Sequence, residues 1–280
     1  MTRVLVTGGD GQLGREFALL LGADAATPGR AELDVTHEAS VQRALAEHSP
    51  ELVLHCAAWT DVDGAEADPE GARRVNEEGS RTVARAARAG GAALVGFSTD
   101  YVFAGDDPEG YDERSPVAPR SVYGATKLAG ERALLAEHPE AYLVRTAWIF
   151  SPHAPNFLLT MLRLGAERDE LRVVDDQVGC PTSATHLAAA TIDLVERCTP
   201  GIYHLAGGGS TSWHGFASAI MEDAGLSARV VPIASSELGR PAPRPACSIL
   251  RTVHPNAPRL PHWREGLRDC LAVLADAEGK

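Results

Sequence analysis

The run Gly8-Gly9-Asp10-Gly11-Gln12-Leu13-Gly14 constrains this chain more than any other feature. It follows Arg3 to Thr7, which alternates into an apolar strand, and precedes Gln12 to Leu21, which has helical character. The run fits G-x-G-x-x-G from Gly9, and equally G-x-x-G-x-x-G through Gly8, Gly11 and Gly14. Glycines permit a tight turn and let a pyrophosphate approach the backbone. The helix opening behind them presents free N–H groups and a positive dipole end. A bare glycine motif also describes a plain β-turn, but the flanking strand and helix supply the context that dinucleotide binding requires.

The alternation continues. A short segment near Ala23–Thr27 and a polar helix near Glu38–His48 form a second unit. Leu52–Ala58, Ala92–Ser98 and Tyr142–Trp148 read as buried strands, Glu66–Ala89 as one long amphipathic helix, and Ser121–Glu137 as another helix. Strands apolar throughout, separated by helices, predict a parallel sheet covered on both faces. The expected class is α/β, a Rossmann-type doubly wound sheet, with residues 1–150 binding a dinucleotide. Residues 151–280 read as a smaller, partly interleaved lobe. There Phe157–Glu167, Thr185–Arg197, Trp213–Ala224 and Trp263–Ala275 are helix candidates, and Leu171–Val174 and Ile202–Leu205 strand candidates. Seven of the 18 prolines fall between Pro232 and Pro261, which predicts extended surface chain there.

Composition narrows the partners. With 44% hydrophobic and 23% charged residues, the chain has enough apolar surface for a core and is not disordered. No run is long and apolar enough to span a membrane, and Met1 to Gly9 lacks a signal-peptide pattern, which points to the cytoplasm. A net charge of −12 argues against nucleic acid. Five cysteines without a C-x-x-C pair read as reduced thiols, with no metal site. Of 26 basic residues only Lys127 and Lys280 are lysines, so the internal one occupies a position that a guanidinium does not serve.

Lys127 stands four residues after Tyr123, on the same helix face. A phenol with pKa near 10 is a poor acid–base group at neutral pH. An adjacent ammonium, with a cationic nicotinamide, favours phenolate and brings that pKa toward working range. The ammonium's three donors can also hold two ribose hydroxyls, which arginine's flat fork does not imitate. Thr99, in Ser98-Thr99-Asp100-Tyr101 at a strand end, is placed to polarise a carbonyl oxygen. About 20 residues past the glycines, Asp34 is preceded by Arg30. Arg30 reads either as a grip on a 2′-phosphate or as a solvated loop charge, and Asp34-Val35 as a contact to adenine.

These sites together resemble an extended short-chain dehydrogenase/reductase. The resemblance extends in order through Leu33-Asp34-Val35-Thr36, Cys56-Ala57-Ala58-Trp59-Thr60-Asp61-Val62-Asp63, Ala65-Glu66, Val75-Asn76, Ser98 to Phe103, Tyr123 to Glu131 and Arg145-Thr-Ala-Trp148. It continues through Asn156-Phe157, Asp176 to Thr182, Gly201 to Leu205, Ser212-Trp213 and Arg244-Pro245. The chain is similar to the dTDP-4-dehydrorhamnose reductase family over nearly its whole length.

The resemblance implies that Gly8, Gly11, Gln12, Leu13 and Gly14 hold the pyrophosphate of NADPH or NADH. Asp34 and Val35 would take the adenine side, and Ala57, Ala58 and Trp59 the cofactor's flank. Thr99, Tyr123 and Lys127 would be catalytic. Thr99, Asp100 and Trp148 would touch a dTDP-sugar, and Arg244 is a candidate for its diphosphate, with a surface salt bridge as the alternative. The implied reaction is reduction of the C4 ketone of a dTDP-4-keto-6-deoxyhexose, in first place dTDP-4-dehydro-L-rhamnose. The alternatives are a 4-ketoreductase of another dTDP-deoxysugar in secondary metabolism, and a non-catalytic NADP-binding regulatory subunit. Some relatives form homodimers through magnesium held by glutamates. Glu16 matches one such position, but Thr185 stands where another glutamate would, which puts the metal in doubt. A dehydratase would need a glutamate directly after Asp100, where Tyr101 stands.

Overall fold

The computed structural model describes residues 3–278. Val4–Thr7 (β1), Ala25–Ala26 (β2), Leu52–His55 (β3), Ala93–Thr99 (β4), Tyr142–Thr146 (β5) and Gly201–His204 (β6) form one sheet. Its order is β2-β1-β3-β4-β5-β6, and every pairing is parallel. The apolar strands explain this arrangement. Val4 and Val6 pack on one face with Leu13, Phe17, Leu187 and Leu194, and Leu5 on the other with Val53, Val41, Val83 and Leu94.

The first face is covered by Gln12–Leu21 (α1), together with the later helix Ala184–Arg197. The second is covered by Glu38–His48 (α2), Ser80–Ala89 (α3) and Val122–Glu137 (α4). The fold is thus α/β and Rossmann-like. The chain leaves β1 for β2 on one side and returns to β3 on the other, so the sheet's switch point lies between β1 and β3. The glycine turn and the loop after His55 leave the strands at this point.

The long helix expected over Glu66–Ala89 is divided. Val62–Ala67 and Pro69–Arg73 are separate short helices, and a π turn, Arg74–Gly79, leads into α3. The first break has a clear cause. Asp68 precedes proline, which disfavours helical backbone, and its φ is −133°. Its carboxylate caps the next segment by accepting from the Gly71 N–H at 2.9 Å. Leu52–Ala58 is likewise shorter as a strand than expected, ending at His55.

Beyond residue 150 the chain builds a second core. Phe157–Glu167 (α5), Trp213–Asp223 (α7) and Trp263–Glu278 (α8) enclose Phe150, Leu158, Met161, Phe216, Ile220 and Leu267, with Ala184–Arg197 serving as α6 on the sheet. The strands Glu170–Val174 and Arg229–Ile233 pair in parallel within this lobe. The proline-rich stretch departs from expectation. Ala242, Ser248, Leu250, Ala257 and Leu260 within it are buried. Its backbone is used as a staple: the Cys247 N–H donates to Gly105 O, the Ser248 N–H to Val178 O, and Ile249 O accepts from the Tyr111 N–H. Extended chain satisfies its polar groups against neighbours as readily as against water.

Candidate active site

The glycine turn is shaped by backbone contact. Gly8 has φ +72°, and a Cβ there would stand 2.8 Å from Ala57 N. A Cβ on Gly14 would come within 2.3 Å of Gly8 O, so the helix starts tight against the turn. Gly11 caps α1 without a side chain, leaving its first N–H groups free for an anion. A cleft of about 440 Å³ opens here. It is lined by Gly8, Gly11, Gln12, Leu13 and Gly14, by Arg30, Asp34 and Val35, by Ala57, Ala58 and Trp59, and by Tyr123 and Lys127. All the residues expected to face a cofactor therefore meet in one space. Arg30 is largely exposed, with its Nε 3.8 Å from Asp34 Oδ2. Burial opposes the Asp34 charge, but bonds from Thr36 and the nearby Arg30 outweigh it and hold this carboxyl below its usual range.

Tyr123 and Lys127 are presented by α4. Ser121 caps this helix by accepting from the Gly124 N–H at 3.1 Å, and Glu66 Oε1 accepts from the Val122 N–H at 2.8 Å. Both functional side chains are buried, 9% and 8% exposed, yet both open on the cleft. The Lys127 ammonium donates to Phe97 O at 2.7 Å, and burial lowers its pKa to about 8 although Glu131 supports the charge. The Tyr123 phenol is pushed up to about 12, because burial outweighs the lowering influence of the nearby Thr99 hydroxyl. The expectation joined the ammonium with a cationic nicotinamide, and in the chain by itself the ammonium's share is not seen. Lys127 is not among the causes that shift it, and its charge is spent partly on a backbone carbonyl.

Thr99 and Asp100 are buried at the end of β4 and do not line the cofactor cleft. The Thr99 hydroxyl donates to Asp100 Oδ1 at 2.9 Å and accepts from the Tyr101 N–H at 3.2 Å. Among the described residues Asp100 Oδ2 has no hydrogen-bond partner, and burial raises this carboxyl to about 6. Tyr101 packs edge-on against Tyr123, with ring centroids 5.4 Å apart.

Sequence reasoning named several supporting residues only as parts of motifs. They form one directed hydrogen-bond chain. The Ala57 N–H donates to Thr7 Oγ1 at 3.2 Å, and Thr7 meets His55 Nδ1 at 2.8 Å. His55 Nε2 lies 3.1 Å from Ser80 Oγ, which itself donates to Asn76 O at 2.7 Å. Ser80's own donation assigns the His55 proton to Nε2. Burial lowers the His55 pKa to about 3, so the ring is neutral. Asn76, within the π turn, accepts from the Trp59 N–H at 2.9 Å and donates to Thr126 Oγ1 at 3.1 Å. Thr126 then donates to Tyr123 O at 2.9 Å. The cofactor flank and the catalytic helix are thus parts of one buried polar network. The one sequence signal was a histidine inside an otherwise apolar strand.

A second cleft of about 550 Å³ is lined by Tyr101, Gln177, Trp213, Ser235, Arg240 and Arg244, among others. Trp148 lies outside both clefts and stacks on Trp213, with centroids 3.6 Å apart. Its φ of +48° is unusual for so bulky a residue, so strain is stored next to this stack. Arg244 is no loose surface charge. Its Nη1 and Nη2 donate to the two Asp63 oxygens at 2.9 and 2.8 Å.

Among the described residues no second carboxylate joins Glu16 to form a magnesium site. The Glu16 carboxylate is buried, accepts from Thr185 Oγ1 at 3.0 Å and lies 3.6 Å from His153 Nε2. One carboxylate with a hydroxyl and an imidazole is a poor oxygen set for this cation.

The family described as RmlD substrate binding domain matches residues 1–275. A dTDP-4-dehydrorhamnose reductase of Streptomyces griseus is 45% identical, covering 99% of this chain and 96% of that protein. A probable dTDP-4,6-dihydroxy-2-methyloxan-3-one 4-ketoreductase of Streptomyces antibioticus is 40% identical over 99% of this chain and 97% of its own length. The crystal structure of dTDP-4-dehydrorhamnose reductase from Bacillus anthracis str. Ames in complex with NADP superposes with a TM-score of 0.93. It has 39% identity and covers 97% of this chain and 99% of that one. The match takes in the glycine turn, the Tyr123–Lys127 helix and the arginine-lined second cleft alike: this chain belongs to the RmlD substrate binding domain family.

Proposed function

We propose that this protein is an NAD(P)H-dependent reductase of the C4 ketone of a dTDP-4-keto-6-deoxyhexose, converting dTDP-4-dehydro-L-rhamnose to dTDP-L-rhamnose. One observation carries this reading. Buried Tyr123 and Lys127, one helical turn apart, open on the same cleft as the glycine turn.

When bound, the reduced nicotinamide supplies the hydride equivalent for the C4 carbon. The chain's own residues do the rest. The uncapped start of α1 takes the pyrophosphate. Lys127 uses one of its three donors on Phe97 O, leaving two for ribose hydroxyls. Tyr123 delivers the proton to the C4 oxygen as negative charge develops there. A phenol held up at about 12 is fully protonated at neutral pH, which suits a proton donor in the reductive direction. The alkoxide is a stronger base than the phenolate, so the transfer runs downhill. Thr99 steadies the same oxygen by turning its one hydroxyl proton from Asp100 Oδ1 toward it. Arg30 is the candidate grip for the 2′-phosphate of NADPH.

We also propose a division of labour by lobe. Residues 1–150 hold the cofactor, and residues 151–280 mainly hold the sugar nucleotide while lending β6 and α6 to the sheet. No helix among the described residues is long and apolar enough to cross a membrane. Five free cysteines support a reducing, cytoplasmic setting. A homodimer belongs to this proposal in a form not bridged by magnesium at Glu16. The Streptomyces antibioticus relative favours, as second reading, the ketone of another deoxysugar nucleotide.

Turnover of dTDP-4-keto-6-deoxyhexose isomers with NADPH and with NADH, the product identified by NMR, tests both. The proposal expects the dTDP-L-rhamnose product. Turnover of a different isomer alone selects the second reading, and binding of NADPH without any turnover refutes both.

A further inference from the structure

We propose that Asp63 is a positioning residue that holds Arg244 from across the lobe boundary, so that the guanidinium offers its free edge to the substrate's diphosphate. The proposal rests on the reading of the second cleft as the sugar-nucleotide site.

Asp63 belongs to the short helix Val62–Ala67 of the first lobe, and Arg244 to the proline-rich loop of the second. The Arg244 Nη1 and Nη2 meet the two Asp63 oxygens in an end-on fork at 2.9 and 2.8 Å. The remaining Nη1 proton goes to Ala242 O at 2.9 Å. A guanidinium has five donors, and these contacts use three. The two left over are on Nε and on the outer side of Nη2. They point the same way and form the side-on fork that grips a phosphate through two parallel bonds. Arg244 lines the second cleft with only 18% of its side chain exposed, and the proposal puts this edge on the cleft side.

Asp63 does more than cancel one charge. Its Oδ1 also accepts from the Ala242 N–H at 3.1 Å, and its Oδ2 from Arg240 Nη1 at 3.1 Å. The bond from Arg244 is the leading cause that holds this carboxyl well below the usual range. Arg240 and Arg244 thus converge on one carboxylate at the cleft wall, with Asp61 also acting on Arg244, and the two guanidiniums supply the cationic donors that a diphosphate takes. The cleft also reaches the chemistry, since Tyr101 lines it and packs on Tyr123. A loop arginine anchored in this way loses little freedom on binding, so the anchor appears as affinity.

Asp63→Asn, Asp63→Glu, Arg244→Lys and the double variant Asp63→Asn/Arg244→Lys test this. The readouts are steady-state kinetics with dTDP-4-keto-6-deoxyhexose, inhibition by dTDP and by thymidine, and direct NADPH binding. Asp63→Asn keeps an acceptor for the Ala242 N–H and removes the charge. It is expected to raise KM and the dTDP inhibition constant about tenfold, the size of one lost charge-assisted bond. The values of kcat, thymidine inhibition and NADPH affinity should hold. Asp63→Glu retains the carboxylate and should recover part of the loss, which keeps the test open if the asparagine variant folds poorly. The double variant should be no weaker than Arg244→Lys, because Asp63 acts through Arg244. Equal losses for dTDP and thymidine, or multiplying effects in the double variant, overturn the proposal. If dTDP inhibits the wild type but Asp63→Asn leaves that inhibition unchanged, the proposal alone fails. If dTDP does not bind the wild type, the functional reading fails with it.

Discussion

Replacing Asn76 by leucine, of similar size, would sever the polar link between the cofactor flank and the catalytic helix. The amide makes three side-chain bonds. It accepts from the Trp59 N–H at 2.9 Å, and donates to Trp59 O at 3.3 Å and to Thr126 Oγ1 at 3.1 Å. Thr126 keeps its own donation to Tyr123 O, so its loss is small, whereas the Trp59 N–H is left without an acceptor. One unmade buried donor costs about 1–3 kcal/mol, and the weaker bonds add about 1 kcal/mol. The expected loss is therefore about 2–4 kcal/mol, or roughly 3–7 °C in Tm for a chain of this size. Urea denaturation measures it, and titration with NADPH should show weaker binding as the Trp59 segment loosens. Asn76→Asp sharpens the test. Its second oxygen would face Thr126 Oγ1, whose proton is already given away, so this variant should regain stability on acidification as the carboxyl takes up a proton. A loss below about 0.5 kcal/mol for Asn76→Leu, the size of an ordinary surface change, would refute the network as a support.

Further outcomes follow from other buried groups. Glu131→Ala should cost about 3–5 kcal/mol by denaturation, because Arg145 is left charged and unpaired where it now meets Glu131 at 2.7 and 2.9 Å; replacing both by apolar residues should recover most of it. For Lys127, burial holds the ammonium at about 8 against an ordinary 10.5. Below pH 8 both states carry its proton and the folded chain does so at a cost, whereas between pH 8 and 10.5 the folded chain releases it first. The stability of Lys127→Met relative to wild type should therefore fall as pH rises through that window, and a difference flat in pH would contradict the burial argument. Cys56 lines the cofactor cleft, but burial pushes its thiol up, so iodoacetamide should fail to label it in the folded protein at pH 8; rapid labelling seen by mass spectrometry would show otherwise.

The sheet was legible because its strands are apolar on both faces and its glycine turn has one common structural use. The catalytic helix was legible for a different reason. In an arginine-writing chain, a lysine four residues after a tyrosine is conspicuous. What stayed hidden depends on contacts between distant residues. Asp63 and Arg244 are far apart in sequence, and no local pattern announces their fork. Asn76 was visible only as part of a motif run, because its role arises from a π turn that brings it under Trp59 and beside Thr126. The break at Asp68-Pro69 was readable in principle, but the helical period on either side masked it. In the proline-rich stretch the prolines signal extension, and extension alone does not say what lies alongside.

The central claim is that Tyr123 donates the proton while the cleft around it holds the cofactor independently. Tyr123→Phe, assayed for NADPH oxidation with dTDP-4-keto-6-deoxyhexose and for NADPH binding by titration, measures both. The expected result is a fall in kcat of roughly 10²–10⁴-fold, the contribution of a positioned general acid, with NADPH affinity largely kept. A variant that reduces the ketone at near the wild-type rate would contradict the account.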